Sequence, residues 1–242
     1  MSFQADNCAS QHTLRIFEGE LNHLHCLMME MTKLVVLQLD QAMLALDEGD
    51  MALAQQVVAR DKEVNRYEIK IDAEVLAVLA RQCPVANDLR TVISTSKIAV
   101  ELEKIADEIA EFAKLVIVLF DPKSSDPNPR LLTDIVNIGN LVKLMLDQLA
   151  ILLETKECSQ AYMLLRHDSD CENQLQEGIK HQLSLVVQDA RLIARALDIM
   201  QIMKSLERCG EHCRNIAEYM IFMIEGIDVR HRDGRSTTVR LL

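Results

Sequence analysis

Tryptophan is absent from this sequence and aromatic residues make up only 3% of it. Strands are enriched in aromatic and β-branched residues, so this poverty argues against a β architecture. Glycine (7) and proline (4) are also scarce among 242 residues, which leaves few turns and predicts few, long helices. The start, "MSFQADNCASQHTLRIF", shows no basic segment followed by an apolar one, and apolar runs such as "LVIVLF" at 115–120 are far too short to span a bilayer. These absences predict a cytoplasmic protein with reduced thiols and at most peripheral membrane association. A nucleophile–base pair and a Gly-rich phosphate loop are missing as well, so the sequence does not read as an enzyme.

What the chain does have is aliphatic mass and acid. Hydrophobic residues amount to 49%, mostly Leu, Ile, Val, Ala and Met, which is ample for a core. The formal charge is −11, and the last thirteen residues, "RHRDGRSTTVRLL", carry four Arg against one Asp, so residues 1–229 hold about −14. A body this acidic repels a phosphate backbone, which excludes nucleic-acid binding as its main business and suits cation binding or docking on a basic protein. Cys209 and Cys213 stand one turn apart, but no second thiol pair or spaced His pair accompanies them, so they read as small core residues. His23 and His25 in "NHLHC" point in different directions on a helix and read as surface residues.

The sequence repeats itself. "LVVLQLDQ" at 34–41 returns as "LVKLMLDQ" at 141–148, identical at six of eight positions and 107 residues on. The same offset carries Leu46 onto Leu153, Ala54 onto Ala161 and Asp61 onto Asp168. Later it becomes 104, carrying Ile98, Leu102, Glu103 and Ala113 onto Ile202, Leu206, Glu207 and Ala217. "FDPKSSDPNPR" at 120–130 holds three of the four Pro and reads as a linker. The expected organisation is a first repeat over 1–120, a linker over 121–130, a second repeat over 131–228 and a flexible basic tail over 229–242.

Within each repeat the apolar spacing is helical. Leu21, Leu24, Met28, Met31, Val35 and Leu39 follow steps of three and four. "DEGDM" at 47–51 ends that first helix, with Gly49 suited to a left-handed C-terminal position and Asp50 to the next N-cap. A second helix is predicted from about Met51 to Arg81 and a third from about Val85 to Leu119, with Pro84 in the first turn of the latter. The prediction is an all-α fold of two tandem three-helix bundles, six long helices in all.

Two stretches carry candidate chemistry. "ELEKIADEIAEFA" at 101–113 and "SLERCGEHCRNIAE" at 205–218 put Glu103 and Asp107, then Glu207 and Glu211, four residues apart on one helix face. Like charges at this spacing repel, and keeping them in both repeats asks for a compensating cation. Residues equidistant from a turn share a level in an antiparallel pair. Asp61 is therefore expected opposite Asp107, Asn65 opposite Glu103, Asp168 opposite Glu211 and Glu172 opposite Glu207. Helix rotation, which decides whether they face one another, is left open. Oxygen ligands without consistent His or Cys suit Mg²⁺, Ca²⁺ or Mn²⁺, or Fe and Zn held through carboxylates. The plainer alternative is a pair of solvated acidic faces balanced by Lys104, Arg208 and Arg214.

These two stretches resemble the doubled Glu-Arg-Ile-Gly-Asp helix motif of the PhoU family, bacterial phosphate-uptake regulators. "DKEVNRYEIKID" at 61–72, "RQCPVANDLR" at 81–90 and the ending "IEGIDVRHRDG" extend the resemblance over residues 12–234. It implies six helices in two bundles, a cytoplasmic homodimer and no catalysis. It also implies action between a phosphate ABC transporter, through its ATPase subunit, and a phosphate-sensing histidine kinase. Some members carry metal clusters on the paired acids, here Glu103/Asp107 and Glu207/Glu211. Ala106 departs from the usual Gly of the first motif, and Glu211 from the usual Asp of the second. A carboxylate-bridged oxidase or metal-storage protein of ferritin-like type is the competing class. Its Glu-x-x-His signature occurs at Glu20-Leu21-Asn22-His23, far from the paired acids, and His212 points off their face.

Overall fold

The computed structural model describes residues 3–121 and 129–230, with the side chains of 3–15, 129, 130 and 168 outside that description. The predicted linker and the basic tail thus fall largely outside the described residues. Every described element is helical: α1 (Phe3–Glu48), α2 (Met51–Gln82), α3 (Ala86–Leu119), α4 (Pro129–Thr155), α5 (Cys158–Gln188) and α6 (Ile193–Glu225), with one 3₁₀ turn (Ala190–Leu192) before α6.

The predicted stripe on α1 is its inner face, with Leu24, Met28, Met31, Val35 and Leu39 all buried. Gly49 takes φ +66° and Asp50 accepts from the Ala52 and Leu53 amides, as their residue types predict. Pro84 differs from expectation. It precedes the N-cap, Val85, because Cys83 turns left-handed to end α2 and the break spans three residues. The chain also stays packed beyond the expected start of the tail. Val229 joins the core, and the Arg230 guanidinium lies 5.5 Å from the centre of the Tyr219 ring.

In the first repeat α1 packs on α2 and α3, and α2 on α3; in the second α4, α5 and α6 pack likewise. The hairpin level rule holds: Ser96 Oγ donates to Asp72 Oδ1 at 2.6 Å, two residues equidistant from Pro84. The repeats also join each other, α1 on α4 and α3 on α6, and their buried residues form one continuous core. A leucine-rich stretch of α4, Leu131–Thr155, meets the length and hydropathy of a membrane span, its apolar character being broken by polar residues so that no single uninterrupted run shows it. Its buried face meets α1, α5 and α6.

The α3–α6 seam is antiparallel and nearly symmetric. Cys209 Sγ donates to the Ile105 carbonyl at 3.8 Å, and these two residues hold equivalent places in the repeats. On one side of this point Glu101, 6% exposed, accepts from His212 Nδ1 at 2.7 Å, Asn215 Nδ2 at 3.1 Å and Lys104 Nζ at 2.9 Å. On the other, Ser205 stands in Glu101's place, and Arg208 donates to Glu108 at 3.0 Å. Cys209 and Cys213 are core residues, as expected. Gly210 is small because a Cβ there would stand 3.0 Å from Cys171 Sγ on α5.

Burial alone would raise the Glu101 carboxyl, but the donors from His212, Lys104 and Asn215 outweigh it and hold the group down at about 2. A depressed carboxyl stabilises the fold above its unfolded value near 4.5 and loses that contribution as pH falls towards 2. Glu101→Gln should therefore flatten the stability–pH curve between those limits, measured by urea denaturation. A separate expectation concerns packing: Gly210→Val should destabilise by about 1–3 kcal/mol, read as a lower urea midpoint at unchanged slope.

Candidate metal centre

The first repeat gathers its acids between α2 and α3. Glu103 is pushed up to about 7, first by burial and then by the charges of Asp107, Glu68 and Asp61, with Lys104 opposing. Asp61 is raised by burial and by Asp107, against a 3.4 Å hydrogen bond from Asn65. Glu68 is raised by burial, Asp72 and Asp107. Asp61 Oδ1 and Asn65 Oδ1 are both buried without a hydrogen-bond partner. Uncompensated negative charge and orphaned oxygens at one place are what a hard cation relieves, so this oxygen set fits one. Among the described residues no three His, Cys, Asp or Glu side chains already stand in ligating geometry, so closing on a cation requires side-chain rotation. A cleft of about 500 Å³, lined among others by Asp61, Asp107, Glu111, Lys114, Lys204 and Arg208, opens beside the cluster.

The second repeat is arranged differently. Glu207 accepts from Lys204 at 2.7 Å, and Glu211, 51% exposed, faces Arg214 at 3.9 Å. Glu172 is exposed, and the Asp168 side chain lies outside the described residues. The reason is local: Lys204 and Arg214 occupy the places held in the first repeat by Val100 and Ala110. An acid and a base three positions apart on a helix can touch, so the second pair carries its own cations.

Glu68 did not stand out in the sequence, although Asp61, Asn65, Glu68 and Asp72 follow the three-and-four spacing of one face of α2. Of the ferritin-like signature, Glu20 is held by Arg81 at 3.2 Å and Gln82 at 2.9 Å, and His23 is exposed. His25, expected at the surface, has its Nδ1 buried without a partner.

A model described as the PhoU domain matches the chain twice, over residues 28–116 and 135–220. The chain belongs to the PhoU family. It is 34% identical over 222 residues to the phosphate-specific transport system accessory protein PhoU homolog of Pseudomonas aeruginosa, covering 92% of this chain and 90% of that one. With the accessory protein PhoU of Escherichia coli K12 the identity is 28% over 225 residues, 93% and 92% of the two chains. The crystal structure of PhoU from P. aeruginosa superposes with a TM-score of 0.82 at 33% identity, covering 87% of this chain and 99% of that one. PhoU from Streptococcus pneumoniae shares the fold, with a TM-score of 0.79 at 24% identity over 88% and 99% of the chains. The expected all-α, duplicated PhoU architecture is the one observed.

Within this family member the Glu103 cluster sets a pH-dependent cost. A raised carboxyl favours the fold below its unfolded value near 4.5, and that advantage is lost as pH rises through about 7. Glu103→Gln should raise the melting temperature of chelator-treated protein at pH 8 by about 2–4 °C. Mn²⁺ is expected to raise the melting temperature of the wild type, and to raise that of the Glu103→Gln variant less. Scanning calorimetry with and without Mn²⁺ reads both effects.

Proposed function

We propose that this PhoU-family protein restrains the phosphate-starvation response and phosphate uptake. It acts as a cytoplasmic, non-catalytic adaptor between the phosphate ABC transporter, through its ATPase subunit, and the phosphate-sensing histidine kinase. The observation that carries this reading is identity to named phosphate-transport accessory proteins along more than nine-tenths of the chain. An acidic surface on a rigid helical frame supports docking on basic protein surfaces rather than on nucleic acid. The working unit is proposed to be a homodimer.

In the same reading a divalent cation, Mg, Mn, Fe or Zn, tunes the adaptor from the first repeat. Asp61, Glu68, Glu103 and Asp107 would hold it, with Asn65 offering a neutral oxygen; when bound it supplies positive charge that cancels their mutual repulsion. Asp168, Glu172, Glu207 and Glu211 would form the second seat, and it is the weaker one because Lys204 and Arg214 must first swing away from Glu207 and Glu211. An iron-dependent oxidase reading loses its support where Glu20 is tied to Arg81 and Gln82.

Deleting the gene should leave the phosphate regulon expressed in high phosphate, measured with a reporter; normal repression in the deletion strain would refute the adaptor role. Elemental analysis of purified protein tests the metal separately. Glu103→Ala should lose most bound metal and Glu207→Ala little, and equal content in wild type and both variants would remove these residues as ligands.

A further inference from the structure

Because the repeats align, basic groups that line a cavity in one half and are missing from the matching cavity of the other are a feature that folding did not require. Such a pair of cavities lies at the junction of the first helix of one repeat with the loop and third helices around it. At the α1–α2 turn, Gly49 is covered by the Phe120 ring, whose Cδ1 would stand 2.9 Å from a Cβ there. A cavity of about 420 Å³ lined among others by Phe120 and Leu132 lies beside that turn; at the equivalent α4–α5 turn the corresponding residues are Lys156 and Ile224, and a cavity of about 370 Å³ opens. Its walls come from α1, α3, α6 and the turn.

The cavity at the α4–α5 turn is the one with basic groups. His25 stands where the second repeat has Leu132, Thr95 where it has Ile199, and Lys156 where the first has Gly49. Lys156 keeps φ +55°, a left-handed backbone that glycine adopts freely and lysine only at a cost. It makes no ion pair among the described residues, although the acid Glu154 is two residues away. His25 Nδ1 is buried beside it without a partner. The buried nitrogen left unbonded is a cost that a ligand would remove, and the exposed Lys156 ammonium at the same cavity offers it a positive charge. Leu21, Met28 and Met223 supply an apolar part of the wall.

We propose that this cavity binds a small organic acid, its oxyanion head held by Lys156 and the His25 imidazole and its apolar body lying on Leu21, Met28 and Met223. The volume is that of a small-molecule site. The charged groups facing His25 are few. Glu18 comes from α1, Glu154 from α4 and Lys156 from the turn, while α3 offers only Thr91 and Thr95 and α6 only Met223. Burial holds the imidazole below its ordinary value, Lys156 adds to this and Glu154 opposes it. An oxyanion beside Lys156 offsets that ammonium, so binding draws a proton onto His25 and both ring nitrogens can then donate. The two acids repel the ligand and keep the affinity modest, while the proton on His25 makes binding stronger at pH 6 than at pH 8.

The test follows the histidine imidazole resonances of the full-length protein by NMR while methyl phosphate or butyrate is added to tens of millimolar. Saturable shifts of the His25 signals, with a rise in its midpoint of titration, are expected for at least one probe. Response to methyl phosphate alone assigns a phosphoryl head, and to butyrate alone a carboxylate head. Lys156→Gly restores the residue of the other repeat and relieves the strained backbone, so it should fold and bind about tenfold more weakly. If neither probe moves His25, or if Lys156→Gly binds as the wild type does, the proposal is overturned. The result is independent of the regulon phenotype of the deletion strain.

Discussion

The antiparallel seam between α3 and α6 is the constraint on which the molecule depends. At its centre a residue of one repeat meets its own counterpart in the other, Ile105 against Cys209, and the two bundles become one core. Glu101 is taken into this seam only because His212, Asn215 and Lys104 replace the water it gives up. With the inner faces of α3 and α6 committed to each other, their remaining carboxylates must look outward or towards α2 and α5.

That division of faces explains why similar acid pairs end in different environments. On α3, Val100 and Ala110 offer no charge, so Glu103 and Asp107 confront the acids of α2 across a partly desolvated gap. On α6, Lys204 and Arg214 stand one turn from Glu207 and Glu211 and absorb their charge. A duplicated motif has become one strained cluster and one neutralised pair. The difference lies in two basic side chains, Lys204 and Arg214, that the first repeat replaces with Val100 and Ala110.

Much of this was readable from the residues. Steps of three and four placed the core stripe of α1, the Gly49–Asp50 pair marked its turn, and equal spacing from Pro84 put Asp72 level with Ser96. Helix rotation was not readable, because spacing along an axis says nothing of the angle about it. So Glu68 was overlooked, and the contrast between the acid pairs emerged only with three-dimensional neighbours. Glu101 sits among Ile98, Leu102 and Ile105, and two of its three partners, His212 and Asn215, lie over a hundred residues away, where no local pattern reaches.

A seam in which a residue faces its own equivalent is the geometry of an isologous dimer. This chain therefore reads as two ancestral subunits fused end to end. In a true homodimer Glu101 would have to appear on both sides of the axis, and each copy would need its own His212. Fusion removes that obligation: one side keeps the buried acid, the other carries Ser205, and the halves are free to specialise while the join between them stays intact.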